Sequence, residues 1–274
     1  RRLGSAYLQL RLQAAYRIRV TERYLRLPPA WHRRHATGTL LSNAGSDVEA
    51  TWQPAGTVTY ALATVVLLAR AGQDLSAYRL RWSHLGIAYR DGDSADAPWR
   101  VLHKLNHCGT ADAALYRQGL GPFFLDSPFR YEAAFVPLAP VLAAQLRPLL
   151  QDNTLGARLH EPRYNMLAYP WATQYQQSNQ WAIETLAMAA GGGADRPATR
   201  ALAQAWLRAQ GYQPTVLQLG PLTRLGARAT RANVAFDDHP NDQRFADRIA
   251  TVTVDSVFAW LPRTGLGGAV VEVR

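Results

Sequence analysis

The 274-residue chain is 48% hydrophobic and 18% charged, a globular composition that can bury a core and excludes a disordered polymer. Its net charge of +10 is lopsided: nine arginines against Glu22 in the first 35 residues account for +8, so the remainder is near neutral and no nucleic-acid partner is expected. Cys108 is the single cysteine, which excludes an intrachain disulfide and a thiolate metal cluster, and no apolar run approaches the roughly 20 residues needed for a stable membrane span.

The chain opens Arg1-Arg2-Leu3-Gly4, with neither an initiator methionine nor an apolar signal segment, so the expectation is a removed targeting segment or a fragment. Apolar and aromatic residues at Leu3, Tyr7, Leu10, Ala14, Ile18 and Leu25 recur at helical spacing, and Pro28-Pro29 ends the pattern. Trp31-His-Arg-Arg-His then leads into Thr37-Gly-Thr-Leu-Leu-Ser-Asn43 and Asp47-Val48. This arrangement resembles the cytoplasmic end and coupling helix of an ABC exporter permease, over about residues 1–57. No Walker motif follows, and a permease fragment of this size encloses no transport path. The segment is read as a helical N-terminal relic or fusion scar, distinct from a second unit at 64–274.

Residues 65–75 read as a buried strand and turn. Residues 82–90 and 99–106 alternate and are separated by Asp91-Gly-Asp-Ser-Ala-Asp-Ala-Pro98, the pattern of a β-hairpin with His84 on one strand and His103 on the other. Residues 137–150 read as a helix broken by Pro140 and Pro148. A further helix opens near Ser178. Another is expected from Asp195, with Pro197 in its first turn, Leu202, Ala205, Trp206 and Ala209 on its apolar face, and Gly211 as its stop. Residues 216–219 and 251–260 alternate as strands. Short strands among separate helices predict an α+β domain.

Two strand histidines facing the N-terminus of a helix is the layout in which a nucleophile at the helix tip is activated by one imidazole and oriented by a second polar group. On that pattern Ser178 is the candidate nucleophile, His84 the base and His103 the orienting group. The plainer alternative is that Ser178 or Asn179 caps the helix, worth about 1 kcal/mol. Cys108 beside His107 is a further possible nucleophile. His103, His107 and Cys108, or Asp237, Asp238 and His239, suggest a metal only weakly, because such sites usually draw ligands from separate segments; Asp237-Asp238-His239 reads better as a turn before Pro240. No cofactor and no metal is expected. Trp82, Tyr175, Asn179 and Trp181 are candidate substrate contacts, and with Tyr89, Trp99, Tyr164 and Trp171 they offer rings to wall a cleft or to fill a core.

Several of these segments carry a family resemblance: Ala69-Arg-Ala-Gly-Gln-Asp-Leu75, Ser83-His-Leu-Gly86, His103-Lys-Leu-Asn-His-Cys-Gly109, Tyr116-Arg-Gln-Gly-Leu120, Tyr175-Gln-Gln-Ser-Asn-Gln-Trp181, Asp237-Asp-His-Pro240 and Thr253-Val-Asp-Ser-Val257. In this order they resemble the proteobacterial domain-of-unknown-function family 2145, through nearly all of residues 64–274. The Ser83-His-Leu-Gly-Ile-Ala88 and Trp99-Arg-Val-Leu-His103 pair is in turn similar to the histidine strands of NlpC-type cell-wall peptidases, and Ser178-Asn-Gln-Trp181 to the start of their nucleophile helix, where cysteine is usual. Histidine precedes nucleophile here, as in the circularly permuted branch. The resemblance implies a permuted papain-like (NlpC-type) α+β domain, an antiparallel sheet packed on helices. It further implies an exported or periplasmic protein, with a cytoplasmic location the alternative, acting as a hydrolase or acyltransferase on cell-envelope peptides or small molecules. The competing expectations are a non-catalytic periplasmic module that binds peptide, glycan or lipid, and a permease fragment.

Overall fold

The computed structural model describes residues 64–94, 97–124, 128–192 and 198–273. The expected helix over 1–57 and its permease likeness lie outside the described residues. The chain forms a mixed α+β structure around an antiparallel sheet. Its strands are β1 (Val65–Ala71), β2 (His84–Arg90), β3 (Trp99–Asn106), β4 (Ala113–Gly119), β5 (Arg130–Pro137) and β8 (Val271–Val273), in the order β4-β3-β2-β1-β5-β8. Two further strands, β6 (Thr215–Gln218) and β7 (Arg248–Thr251), form a separate antiparallel ribbon.

β1 is buried along its whole length because both of its faces are covered. Alternation sends Val65, Leu67, Ala69 and Ala71 to the principal core and Val66 and Leu68 to a smaller core on the other face, with Ala88, Val101 and Phe123. In β2, Leu85, Ile87 and Tyr89 join the principal core, and Ala88 turns to the Phe123 side. Phe123 comes from the short helix α1 (Leu120–Phe124).

The principal core is closed by α2 (Pro140–Gln151) and by α4 (Ser178–Ala190), with the one-turn α3 (Asn153–Gly156) between them in sequence. The helix expected to break at two prolines is continuous. Pro140 occupies the first turn, where no hydrogen bond is lost, and Pro148 is accommodated inside. α4 is buried from Ser178 to Ala189, its polar residues included.

Helix α5 spans Arg200–Ala209, with the Thr199 side chain accepting from the Leu202 N–H. The expected start at Asp195 lies outside the described residues; the expected stop stands, with Gly211 at φ +70°. The buried face differs from the expected one. It comprises Arg200, Ala203, Gln204 and Leu207, whereas Leu202 is exposed, because the buried Glu184 of α4 draws Arg200 and Gln204 inward. After α6 (Pro221–Thr230) and α7 (Asn241–Phe245) comes a correction at 251–260: β7 ends at Thr251, and Val254–Trp260 is helix α8. Thr253 and Ser256 form a capping box, and Val254, Val257 and Phe258 fall on one buried helical stripe.

Candidate functional site

The ladder between β2 and β3 pairs Ile87–Arg90 with Trp99–Leu102. Below it the β2 backbone finds a different partner. The Leu85 N–H donates to Asn179 Oδ1 at 3.0 Å, and Asn179 Nδ2 donates to the Val252 carbonyl at 3.3 Å. The tip of α4 is thereby fixed against the strand that carries His84. Gln177 is the N-cap and its side chain accepts from the Asn179 N–H, so the capping role considered for Ser178 or Asn179 is taken by their neighbour.

His84 and His103 are both buried and meet each other, His84 Nε2 lying 2.9 Å from His103 Nδ1. His103 Nε2 in turn lies 3.0 Å from Gln118 Oε1 on β4. An amide oxygen can only accept, so His103 Nε2 carries hydrogen; with both rings neutral its Nδ1 accepts from His84 Nε2–H, and His84 Nδ1 is left with the lone pair. Gln118 thus sets the direction of the whole relay. The rings pack on Phe123, with centroids 5.8 Å and 5.1 Å away. Gly86 makes room for them: a Cβ there would lie 2.4 Å from Val101 Cγ1, 2.9 Å from Phe123 Cε2 and 3.4 Å from His103 Cβ.

Burial, reinforced by His103 and Arg70, holds the His84 imidazole well below the usual histidine range, so it is neutral at physiological pH. Ser178 is buried, and its hydroxyl lies 3.5 Å from the Tyr164 hydroxyl. Among the described residues its hydrogen bond is to Tyr164 and not to His84. The histidines project to the Phe123 side of the sheet, whereas the body of α4 packs on the other side and its tip reaches the sheet at Leu85.

The remaining expected site residues are placed as follows. Asn179 positions the helix. Tyr175 donates its hydroxyl to Asp237. Trp82 and Trp181, expected as substrate contacts, are instead buried in the principal core, with the Arg81 guanidinium over the Trp82 ring at 4.6 Å. Cys108 lies exposed in a turn beyond β3. Asp237-Asp238-His239 forms the expected turn, with Asp238 accepting from the Tyr169 N–H and His239 between Asp238 and the Ala250 carbonyl.

Beneath Ser178 runs a buried polar network that sequence reasoning missed. Glu184 is fully enclosed and receives Arg200, Gln204 and Gln176. Gln176 Oε1 also accepts from Lys104 Nζ at 2.9 Å, and Lys104 donates further to the Glu161 carbonyl. Burial first, and then Arg200, lower the Lys104 ammonium to about 7. The available signal was that Lys104 is the only lysine in the chain.

The profile of a family described as an uncharacterized protein conserved in bacteria, DUF2145, matches residues 59–261. The chain belongs to this family. No curated protein and no solved structure matches it. The relay, the pinned helix tip and the Lys104–Glu184 network all lie on the matched residues of this DUF2145 chain. Among the described residues no helix is long and apolar enough to cross a membrane.

Proposed function

We propose that this member of the family carries an acyl-transfer site of permuted papain-like type, with Ser178 as nucleophile, His84 as base and His103 as the group that orients it. The observation that carries the reading is the directed chain from Gln118 through His103 to His84, which leaves a neutral His84 Nδ1 as a proton acceptor on the strand to which the tip of α4 is anchored. In such a site Ser178 Oγ attacks a carbonyl while His84 Nδ1 takes its proton. The protonated imidazole then gives that proton to the departing amine or alcohol, and water repeats the cycle on the acyl-serine to release the acid. Because His84 projects to the Phe123 side of the sheet and the Ser178 hydroxyl meets Tyr164 on the α4 side, the attack requires the tip of α4 to rearrange so that Ser178 leaves Tyr164 and reaches His84. Cell-envelope peptides or amides in an exported setting are the substrate class the NlpC-type resemblance supports.

A serine-directed fluorophosphonate probe tests this. Labelling that disappears in Ser178→Ala is the expected result; equal labelling of that variant, or none of the wild type, overturns it. Ser178→Cys is expected to react with iodoacetamide faster than Cys108, since a helix N-terminus and a neutral imidazole promote the thiolate.

The second reading is a binding module with no chemistry, and the Ser178–Tyr164 contact favours it, because that bond occupies the hydroxyl without engaging the base. It predicts that Ser178→Ala leaves affinity for cell-envelope fragments unchanged.

A further inference from the structure

Helix α6 (Pro221–Thr230) is inside out. Its inward positions are Arg224 and Ala227, three residues apart: Ala227 packs on the satellite core of Leu217, Leu219, Val234, Phe236 and Ile249, and Arg224 donates to the Leu219 and Arg244 carbonyls and to Asp247. Its apolar side chains point the other way. Leu222 is 84% exposed and Leu225 is 67% exposed, and Gly226 and Ala229 complete the same outward face. Arg224 ties α6 to α7, where Phe245 is 72% exposed beneath the Arg244 guanidinium. An amphipathic helix of a soluble domain normally turns its leucines to the core; here they form a solvent-facing knob.

The charges around the knob say what covers it. α6 holds no acidic residue, and Arg228 and Arg231 at its C-terminal end have no carboxylate partner among the described residues. Among the described residues the one ion pair of α6, Arg224–Asp247, lies on its inner side. A second copy docked symmetrically would set these arginines against their own equivalents. The arginine-rich first 35 residues of the chain carry the same sign and would be repelled as well. An anionic lipid surface meets both requirements, taking Leu222, Leu225 and Phe245 into the boundary of the acyl chains while Arg228 and Arg231 sit at the headgroups.

We infer that the α6–α7 knob is a peripheral membrane-docking site for anionic phospholipid. The inference is independent of the chemistry assigned to Ser178. The full chain is to be sedimented with vesicles of phosphatidylcholine alone and of phosphatidylcholine mixed with phosphatidylglycerol, as wild type, as Leu222→Glu/Leu225→Glu and as Arg228→Gln/Arg231→Gln. Binding to the phosphatidylglycerol vesicles is expected to fall roughly ten-fold or more in the leucine variant, which loses apolar insertion and gains repulsion. The arginine variant is expected to lose the preference for phosphatidylglycerol. Melting of both variants should match the wild type, because the altered side chains are exposed. Vesicle binding by the leucine variant equal to wild type would place attachment in the basic N-terminal residues and overturn the inference. So would failure of the wild type to bind either vesicle, or a concentration-dependent dimer in light scattering that the leucine variant abolishes.

Discussion

The backbone N–H of Leu85 and the side-chain oxygen of Asn179, far apart in sequence, meet at 3.0 Å. A strand amide that would otherwise continue the ladder is satisfied by the helix that carries Ser178. Asn179 also donates to Val252, so one buried amide joins β2, α4 and the segment after β7. Asn179→Ala leaves the buried Leu85 N–H without its acceptor, while the Val252 carbonyl keeps the Gln177 amide, and should destabilise the protein by roughly 1–3 kcal/mol, read as a lower midpoint in urea. Asn179→Asp keeps the acceptor and loses the donor, so it should fall between the two.

Gln118 gives the relay its direction, and its replacement separates positioning from folding. Gln118→Leu frees His103 Nε2 from its acceptor and permits the other tautomer, in which His84 no longer presents a lone pair at Nδ1. Probe labelling at Ser178 should slow by about ten- to a hundred-fold, a part of the roughly 10²–10⁴-fold that a general base contributes, with a small change in melting temperature. Gln118→Glu should restore the direction and, by adding negative charge near the imidazoles, raise the pH at which His84 protonates. An unchanged rate and pH profile in both variants would remove Gln118 from the site.

The pH profile of the wild type follows from His84. Its imidazole is held below the ordinary histidine range in the folded protein and titrates near 6.5 when unfolded. Below 6.5 the unfolded chain binds a proton that the folded chain resists, so stability falls as pH drops through this window. The acid limb of labelling should likewise lie below pH 6.5, because the base stays neutral there. A limb above 6.5 would contradict the burial of His84.

Gly86 is where the relay constrains backbone packing most tightly. Gly86→Ala would drive its methyl into Val101 and Phe123, the residues that roof the histidines. A destabilisation of about 1–3 kcal/mol is expected. Phe123→Leu in the same background should recover part of it if that contact carries the strain.

The hairpin and its histidines were legible because two alternating runs flank an aspartate- and glycine-rich turn, and period and punctuation agree. Residues 251–260 misled for the opposite reason: Thr251, Thr253 and Asp255 mimic alternation, while Val254, Val257 and Phe258 obey the helical period that burial enforces. Gln118 was invisible because its role depends on the register of β4 against β3, which pairs Gln118 with Val101 and sets it on the histidine side. The face of α5 was misjudged because Arg200 and Gln204 are buried by Glu184, a partner on another helix that periodicity cannot reveal. Trp82 and Trp181 illustrate the ambiguity of aromatic residues, whose type alone does not separate a cleft wall from a core.

Lys104 provides a test that does not depend on any activity. A neutral amine has two hydrogens, and the structure offers Nζ two acceptors, the Glu161 carbonyl and Gln176 Oε1. With its pKa lowered from 10.5 to about 7 in the folded protein, the unfolded chain binds more protons than the folded chain between those values. Stability should therefore rise as pH climbs from 7 towards 10.5 and stay level, as far as this group is concerned, below 7. Lys104→Met removes the titrating group and should flatten that rise, at the cost of leaving the Glu161 carbonyl and Gln176 short of a donor by roughly 1–3 kcal/mol. Urea midpoints of wild type and variant measured across this range decide the matter. A rise of equal slope in both would show that Lys104 keeps its charge inside the protein, paired through Gln176 with the Glu184 carboxylate.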